Sequence, residues 1–96
     1  IFMGDFNSEP QSLLISNLKM RMDDTREIAV EAPFGAIGTF NNFEFNTPVT
    51  KRIDYIFVSK NSKLKVKKYA VLTDSKDLKY PSDHLPVYVE LVFESN

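Results

Sequence analysis

Apolar and polar residues alternate along three stretches in the second half of the chain. Ile53, Tyr55 and Phe57 alternate with Asp54, Ile56 and Val58, so both faces are apolar except at Asp54. That pattern predicts a central strand covered on both sides. Leu64 and Val66, followed by Ala70, Val71 and Leu72, predict a second strand with Lys65 and Lys67 toward solvent. Val87, Val89, Leu91 and Phe93 alternate with Tyr88 and Glu90, giving a third strand with one wetter face. At the other end, Ile1 to Gly4 is short, apolar and closed by glycine, which predicts a buried strand. Asp5 to Ser8 follows as a polar turn. Ser8 is the expected N-cap of a helix, with Pro10 in its first turn and Gln11 at the capping-box position. Leu13, Leu14, Leu18 and Met22 are its expected apolar face. Asp23 and Asp24 interrupt it. Asp24 then caps a shorter helix through Glu27, Ile28 and Val30, which ends before Pro33.

Residues 33–50 break both periodicities. Pro33, Gly35, Gly38 and Pro48 fall here with Asn41, Asn42 and Asn46, and so do four of the eight phenylalanines, Phe34, Phe40, Phe43 and Phe45. A long aromatic loop either packs as a lid or contacts a ligand. Rings packed under the loop are the plainer expectation; stacking on bases or a sugar is the sharper one. The element order is therefore strand, helix, helix, long loop and three strands, an α/β unit.

Composition narrows the chemistry. The 96 residues are 43% hydrophobic and 26% charged, as in ordinary globular domains. No run approaches the ~20 apolar residues that a membrane-spanning helix needs. The absence of cysteine excludes disulfides, thiolate zinc sites and a cysteine nucleophile. Twelve basic against thirteen acidic residues give a net charge of −1, which argues against wholesale wrapping of nucleic acid. The lysines at 60, 63, 65, 67 and 68 alternate with apolar residues and read as a solvated strand face that discourages edge pairing.

Three polar groups stand where strand patterning does not call for them. Asp5 and Asn7 follow the first strand, Asp54 lies inside the most apolar one, and Asp83 and His84, the one histidine, precede the last. Strand ends are where a sheet presents functional side chains. A carboxylate among apolar neighbours needs a partner. His84 suits Asp54, because a carboxylate fixes the imidazole tautomer and favours its charged form. Each also has a plainer reading: Asp5 and Asn7 as a turn, Asp54 at a watered edge, His84 as a structural ring, Asp83 as turn chemistry beside Pro81.

Together, GDFNSEP at 4–10, RIDYIFVS at 52–59 and SDHLPVYVEL at 82–91 occur in an order that resembles the endonuclease/exonuclease/phosphatase superfamily, the deoxyribonuclease-I-like fold. GTFNNF at 38–43 is similar to a segment of one bacterial branch of it. The resemblance spans Gly4 to about Phe93. It implies the C-terminal half of a two-sheet α/β sandwich, with mostly antiparallel strands and one or two helices. Residues 1–96 would then form the C-terminal portion of one domain whose N-terminal half is absent, leaving a sheet surface to be covered by that half or by a neighbouring copy.

The resemblance also implies roles. Asp5 resembles the aspartate that orients or deprotonates the attacking water, and Asn7 the asparagine that donates to the phosphoryl group. Asp54 resembles the aspartate that pairs with the catalytic histidine, His84. Asp83 and Asp5 are the expected metal residues, for Mg²⁺ with Mn²⁺ or Ca²⁺ as alternatives; an oxygen-ligand site suits a chain without cysteine. Thr39, Phe40, Asn41 and Arg52 are the expected substrate-binding residues. The implied activity is metal-dependent hydrolysis of a phosphodiester or phosphomonoester by the intact parent, on nucleic acid, phospholipid or a small phosphate ester. The superfamily's further metal ligands lie in its N-terminal half, so the chain alone is expected to be inactive. A non-catalytic module that binds nucleic acid or a partner while retaining the fold is the competing expectation.

Overall fold

A computed structural model describes residues 1–94. The most apolar stretch becomes the middle of the first sheet. Strand β4 (Asp54–Ser59) lies between β1 (Phe2–Asp5) and β2 (Met22–Asp24), and both pairings are antiparallel. Tyr55, Ile56, Phe57 and Val58 are all buried, as expected for a strand covered on both faces. The second sheet has the order β3-β5-β6: β3 (Phe34–Gly35) runs parallel to β5 (Leu64–Val71), and β6 (Val87–Phe93) pairs antiparallel with β5. Two short helices, α1 (Leu13–Lys19) and α2 (Thr25–Ile28), complete a small α/β fold. Among the described residues no helix is long and apolar enough to cross a membrane.

Several boundaries differ from the sequence pattern, each for a local reason. Helix α1 is capped by Ser12, whose hydroxyl accepts from the Ile15 amide at 3.3 Å, so the helix begins four residues later than a Ser8 cap would place it. The inward face is Ile15 with Leu18 beside it on Tyr55 and Phe57, while Leu13 and Leu14 turn outward; Met22, expected on this helix face, instead lies in β2 and packs on the same cluster from there. Asp23 and Asp24 do not simply interrupt the helix; they belong to β2. A strand with two adjacent carboxylates is tolerated because each has a cation: Lys60 lies 2.7 Å from Asp23, and Arg52 clasps Asp24. Asp24 also caps α2 by accepting from the Arg26 amide at 3.1 Å, and α2 ends at Ile28, short of Val30. In β5 a bulge between Val66 and Lys68 resets the alternation, so Lys67 and Lys68 are both exposed before Tyr69 turns inward. Strand β1 is exposed along its length, which departs from the buried strand that its apolar residues predict, and β4 is its one strand partner among the described residues.

Two apolar clusters form, one under each sheet. Ile15, Tyr55 and Phe57 make the first; Tyr69, Val71 and Leu85 make the second. Between them sits a charge. Arg52, 4% exposed, donates to both oxygens of Asp24, at 2.6 Å from Nη1 and 2.5 Å from Nη2, and its guanidinium lies 4.6 Å from the Tyr55 ring centroid and 5.6 Å from that of Tyr69. Burial pulls the Arg52 guanidinium toward deprotonation, but the Asp24 hydrogen bonds and charge outweigh it and the net shift is upward. Removing one partner of such a pair strands the other in a low dielectric. Asp24→Ala is expected to cost about 3–5 kcal/mol in urea unfolding. Loss of less than about 1 kcal/mol would show that the pair is solvated and holds nothing.

Candidate active site

The register of β1 on β4 places Asp5 directly opposite Asp54. Residues directly opposite share a face, so two carboxylates meet across one antiparallel pair, an unfavourable arrangement without a cation. His84 supplies one. It sits in the segment leading into β6, and its Nδ1 lies 2.8 Å from Asp54 Oδ2 and its Nε2 3.7 Å from Asp5 Oδ2. The three donor atoms all lie within 4.8 Å of one another, although their residues come from separate parts of the chain: β1, β4 and the segment that leads into β6.

Each member is held from behind. Asp5 accepts the Asn7 amide at 2.8 Å through Oδ1, closing a turn in which Asn7 adopts a left-handed φ of 48°. The turn and the cluster therefore coexist at Asp5. Asp54 is half-buried, and its backbone amide donates to Thr39 Oγ1 at 3.1 Å. The His84 amide donates to Ser82 Oγ at 3.1 Å, and its ring meets Phe40 edge-on at a centroid distance of 5.3 Å. The hydrogen bond to Asp54 raises the His84 pKa from its ordinary 6.5; partial burial opposes this, and the negative charges of Asp54, Asp5 and Asp83 reinforce it. The imidazolium is thus favoured, with Nδ1 committed to Asp54 and Nε2 on the side of Asp5.

Asp83 stands outside the three-donor group and bears on it through its charge. Asn7 is exposed, two residues beyond Asp5. The expected substrate contacts divide. Phe40 is half-buried against His84, with Lys51 Nζ 5.6 Å from its ring centroid. Thr39, Asn41 and Arg52 are buried, at 0%, 5% and 4% exposed, and their side chains bond within the protein, Arg52 Nε alone among them lacking a partner. Thr39 and Asn41 bind backbone, and Arg52 binds Asp24. The aromatic loop is also mixed. Phe45 packs on Tyr80, whereas Phe34 and Phe43 are exposed.

A cleft of about 230 Å³ opens beside the cluster, lined by Met3, Gly4, Asp5, Asp54, Tyr55, Ile56, Leu85 and Val87. A second groove of about 270 Å³ runs past His84 between Leu72, Asp74, Pro81, Ser82, Leu85 and Pro86. The imidazole thus borders a mostly apolar groove, while the carboxylates line the neighbouring cleft. With Asp54 Oδ2 engaged by His84, the hard donors left for a cation are Asp5 and the second oxygen of Asp54. These suit an oxygen-seeking divalent ion but supply only a corner of the six-oxygen shell of Mg²⁺.

Residues 1–84 match the Endonuclease/Exonuclease/phosphatase family. The chain belongs to that family. Members of it are hydrolases of phosphate esters. Three solved structures are similar. A conserved protein of unknown function from Enterococcus faecalis V583 is 36% identical with a TM-score of 0.85, over 96% of this chain and 35% of that one. A mannosyl-6-phosphatase from Bacteroides thetaiotaomicron VPI-5482 is 40% identical with a TM-score of 0.78, over 95% and 36%. A family protein from Bacteroides thetaiotaomicron is 38% identical with a TM-score of 0.84, over 97% and 37%. No curated protein matches the chain. The chain thus spans just over a third of these solved relatives, and the fold is that of a phosphoesterase.

The raised His84 pKa has a consequence for stability. A group whose pKa is higher folded than unfolded stabilises fully below its unfolded value, and that stabilisation fades as pH rises through the folded value. Thermal melts should therefore separate the native protein from Asp54→Asn most at about pH 6 and least at about pH 9. A gap that widens with pH would mean that His84 is not the cationic partner of Asp54.

Proposed function

We propose that the intact protein hydrolyses a phosphate ester with a divalent cation, and that His84 and Asp54 act as a pair in that reaction. The observation that carries this reading is the line from Asp54 Oδ2 through Nδ1 of His84 to Nε2 beside Asp5. The Asp54 hydrogen bond keeps a proton on Nδ1 and orients the ring, so Nε2–H of the imidazolium donates to a non-bridging phosphoryl oxygen. Asp5 orients a water or takes its proton, and Asn7 donates a hydrogen bond to the phosphoryl group as negative charge builds. Mg²⁺, or Mn²⁺ or Ca²⁺ in its place, would be held by Asp5 with Asp83 nearby and would supply Lewis-acid stabilisation of the phosphoryl charge.

The chain's share of its solved relatives supports a second element of the proposal: it is the histidine-bearing portion of one larger catalytic domain. With so few oxygen donors of its own, the 96-residue chain is inactive alone, and the remaining ligands come from elsewhere in the parent. Substrates to compare are a phosphodiester and a phosphomonoester, including a hexose 6-phosphate, because one solved relative is a mannosyl-6-phosphatase. If the fold instead serves as a non-catalytic binding module, none of these is turned over.

The test uses the intact protein. His84→Ala should lower kcat about 10²–10⁴-fold at unchanged thermal stability near pH 9, and EDTA should abolish turnover until Mg²⁺ is restored. Turnover that survives His84→Ala would defeat the assignment. Mg²⁺-dependent cleavage of either ester by the isolated chain would defeat its inactivity.

A further inference from the structure

Asp54 opens β4 and His84 lies in the segment that leads into β6, so something must set the gap between them. Their own hydrogen bond cannot do so alone, because the His84 side chain is partly exposed and its segment belongs to no strand. The segment Gly38–Asn41 crosses between the start of β4 and the approach to β6, and its contacts run in both directions. Toward β4, the Thr39 and Phe40 amides donate to the Lys51 carbonyl at 2.9 and 3.1 Å. Thr39 Oγ1 accepts from the amides of Ile53 and Asp54 at 3.0 and 3.1 Å. Toward β6, the Leu85 amide donates to the Thr39 carbonyl at 2.7 Å, and the Asn41 amide donates to the Asp83 carbonyl at 2.8 Å. The Asn41 side chain adds a bond from Nδ2 to the Ser82 carbonyl at 2.9 Å.

Thr39 is fully buried, and a hydroxyl there that takes two consecutive amides is a specific requirement. One of those amides belongs to Asp54 itself; the amide on the Thr39 carbonyl belongs to the residue after His84. Gly38 makes the close approach feasible, because a Cβ there would lie 2.5 Å from the Lys51 amide nitrogen and 2.6 Å from the Thr50 carbonyl carbon.

We propose that Thr39, assisted by Asn41, is a positioning residue: it clamps the backbone of Asp54 to the backbone around His84 and so sets the carboxylate–imidazole distance. Buried among these amides, it touches no reacting atom. The inference rests on the reading of Asp54 and His84 as a working pair, yet it has a readout that needs no turnover.

That readout is the imidazole of His84 in the intact protein, observed by ¹⁵N NMR with its signals assigned by their loss in His84→Asn. Thr39→Ser keeps the oxygen and should leave both the Nδ1–H signature of the Asp54 bond and kcat nearly unchanged. Thr39→Val keeps the shape but removes the acceptor; it should weaken that signature and lower kcat about 10–100-fold with KM little altered. A folded Thr39→Val protein with the native His84 signal overturns the proposal, as does a Thr39→Ser protein that fails like Thr39→Val. If Thr39→Val does not fold, Asn41→Ala, which cuts only the side-chain bonds of Asn41, carries the test: a weakened Nδ1–H signature supports the clamp, and an unchanged one overturns it. A protein that turns over no phosphate ester but shows these NMR changes would refute the functional reading and leave the clamp standing.

Discussion

A guanidinium enclosed between two apolar clusters is the constraint on which the arrangement depends. Arg52 cannot be left there uncompensated, so Asp24 must reach it, and that requirement draws β2 onto β4 and starts α2 at a fixed point. The same guanidinium lies against Tyr55 of one sheet and Tyr69 of the other. A buried ion pair contributes little net stability compared with a well-packed apolar replacement, but it is exacting about geometry. Here its exactness is spent two residues before Asp54. The entry of β4 is thereby fixed before the exposed end of the cluster is considered.

From that entry the candidate site is built by opposing demands. Strand pairing puts two carboxylates face to face, which the sheet alone would not favour. The histidine that relieves them arrives from a separate segment and is held by a serine hydroxyl, a phenylalanine edge and the backbone of residues 39–41. The polar groups in contact with solvent, Asp5 and His84, thus rest on a layer that is buried and already satisfied. This is how a small sheet holds charged side chains in place at its rim: the exposed groups do the contacting, and the enclosed ones take up the geometric cost.

Much of this could be read from the pattern of residues. The central strand was legible because five buried apolar residues surround a single aspartate, and the last two strands because their alternation is long. Asp24 as a helix cap was legible from its side-chain chemistry. Strand β2 was not, since three residues with two carboxylates carry no strand signal until Lys60 and Arg52 arrive from elsewhere in the chain. The start of α1 was misplaced because Ser8 and Ser12 both suit a cap, and packing of Ile15 decides between them. Thr39, Asn41 and Arg52 stand out in the sequence as polar residues, but polar side chains give no local sign of whether they will face water or backbone. That is settled by where residues 51–54 and 82–85 lie, which is tertiary information.

The facing of Asp5 and Asp54 bears on how the chain folds as well as on what it does. A strand shifted by one residue turns every side chain to the other face. Slipping β1 along β4 by a single step would set Gly4 or Phe6 opposite Asp54 and carry the Asp5 carboxylate out of reach of His84. The native alignment is the one in which two carboxylates coincide; His84 offsets their repulsion, and the aromatic packing of Phe6 on Tyr55 and Phe57 favours the same alignment. Any cation that binds between the two carboxylates then favours that alignment over its neighbours by mass action. Occupancy of such a site and fidelity of strand alignment would then be one linked equilibrium, in which the ion would act on the fold as a proofreader.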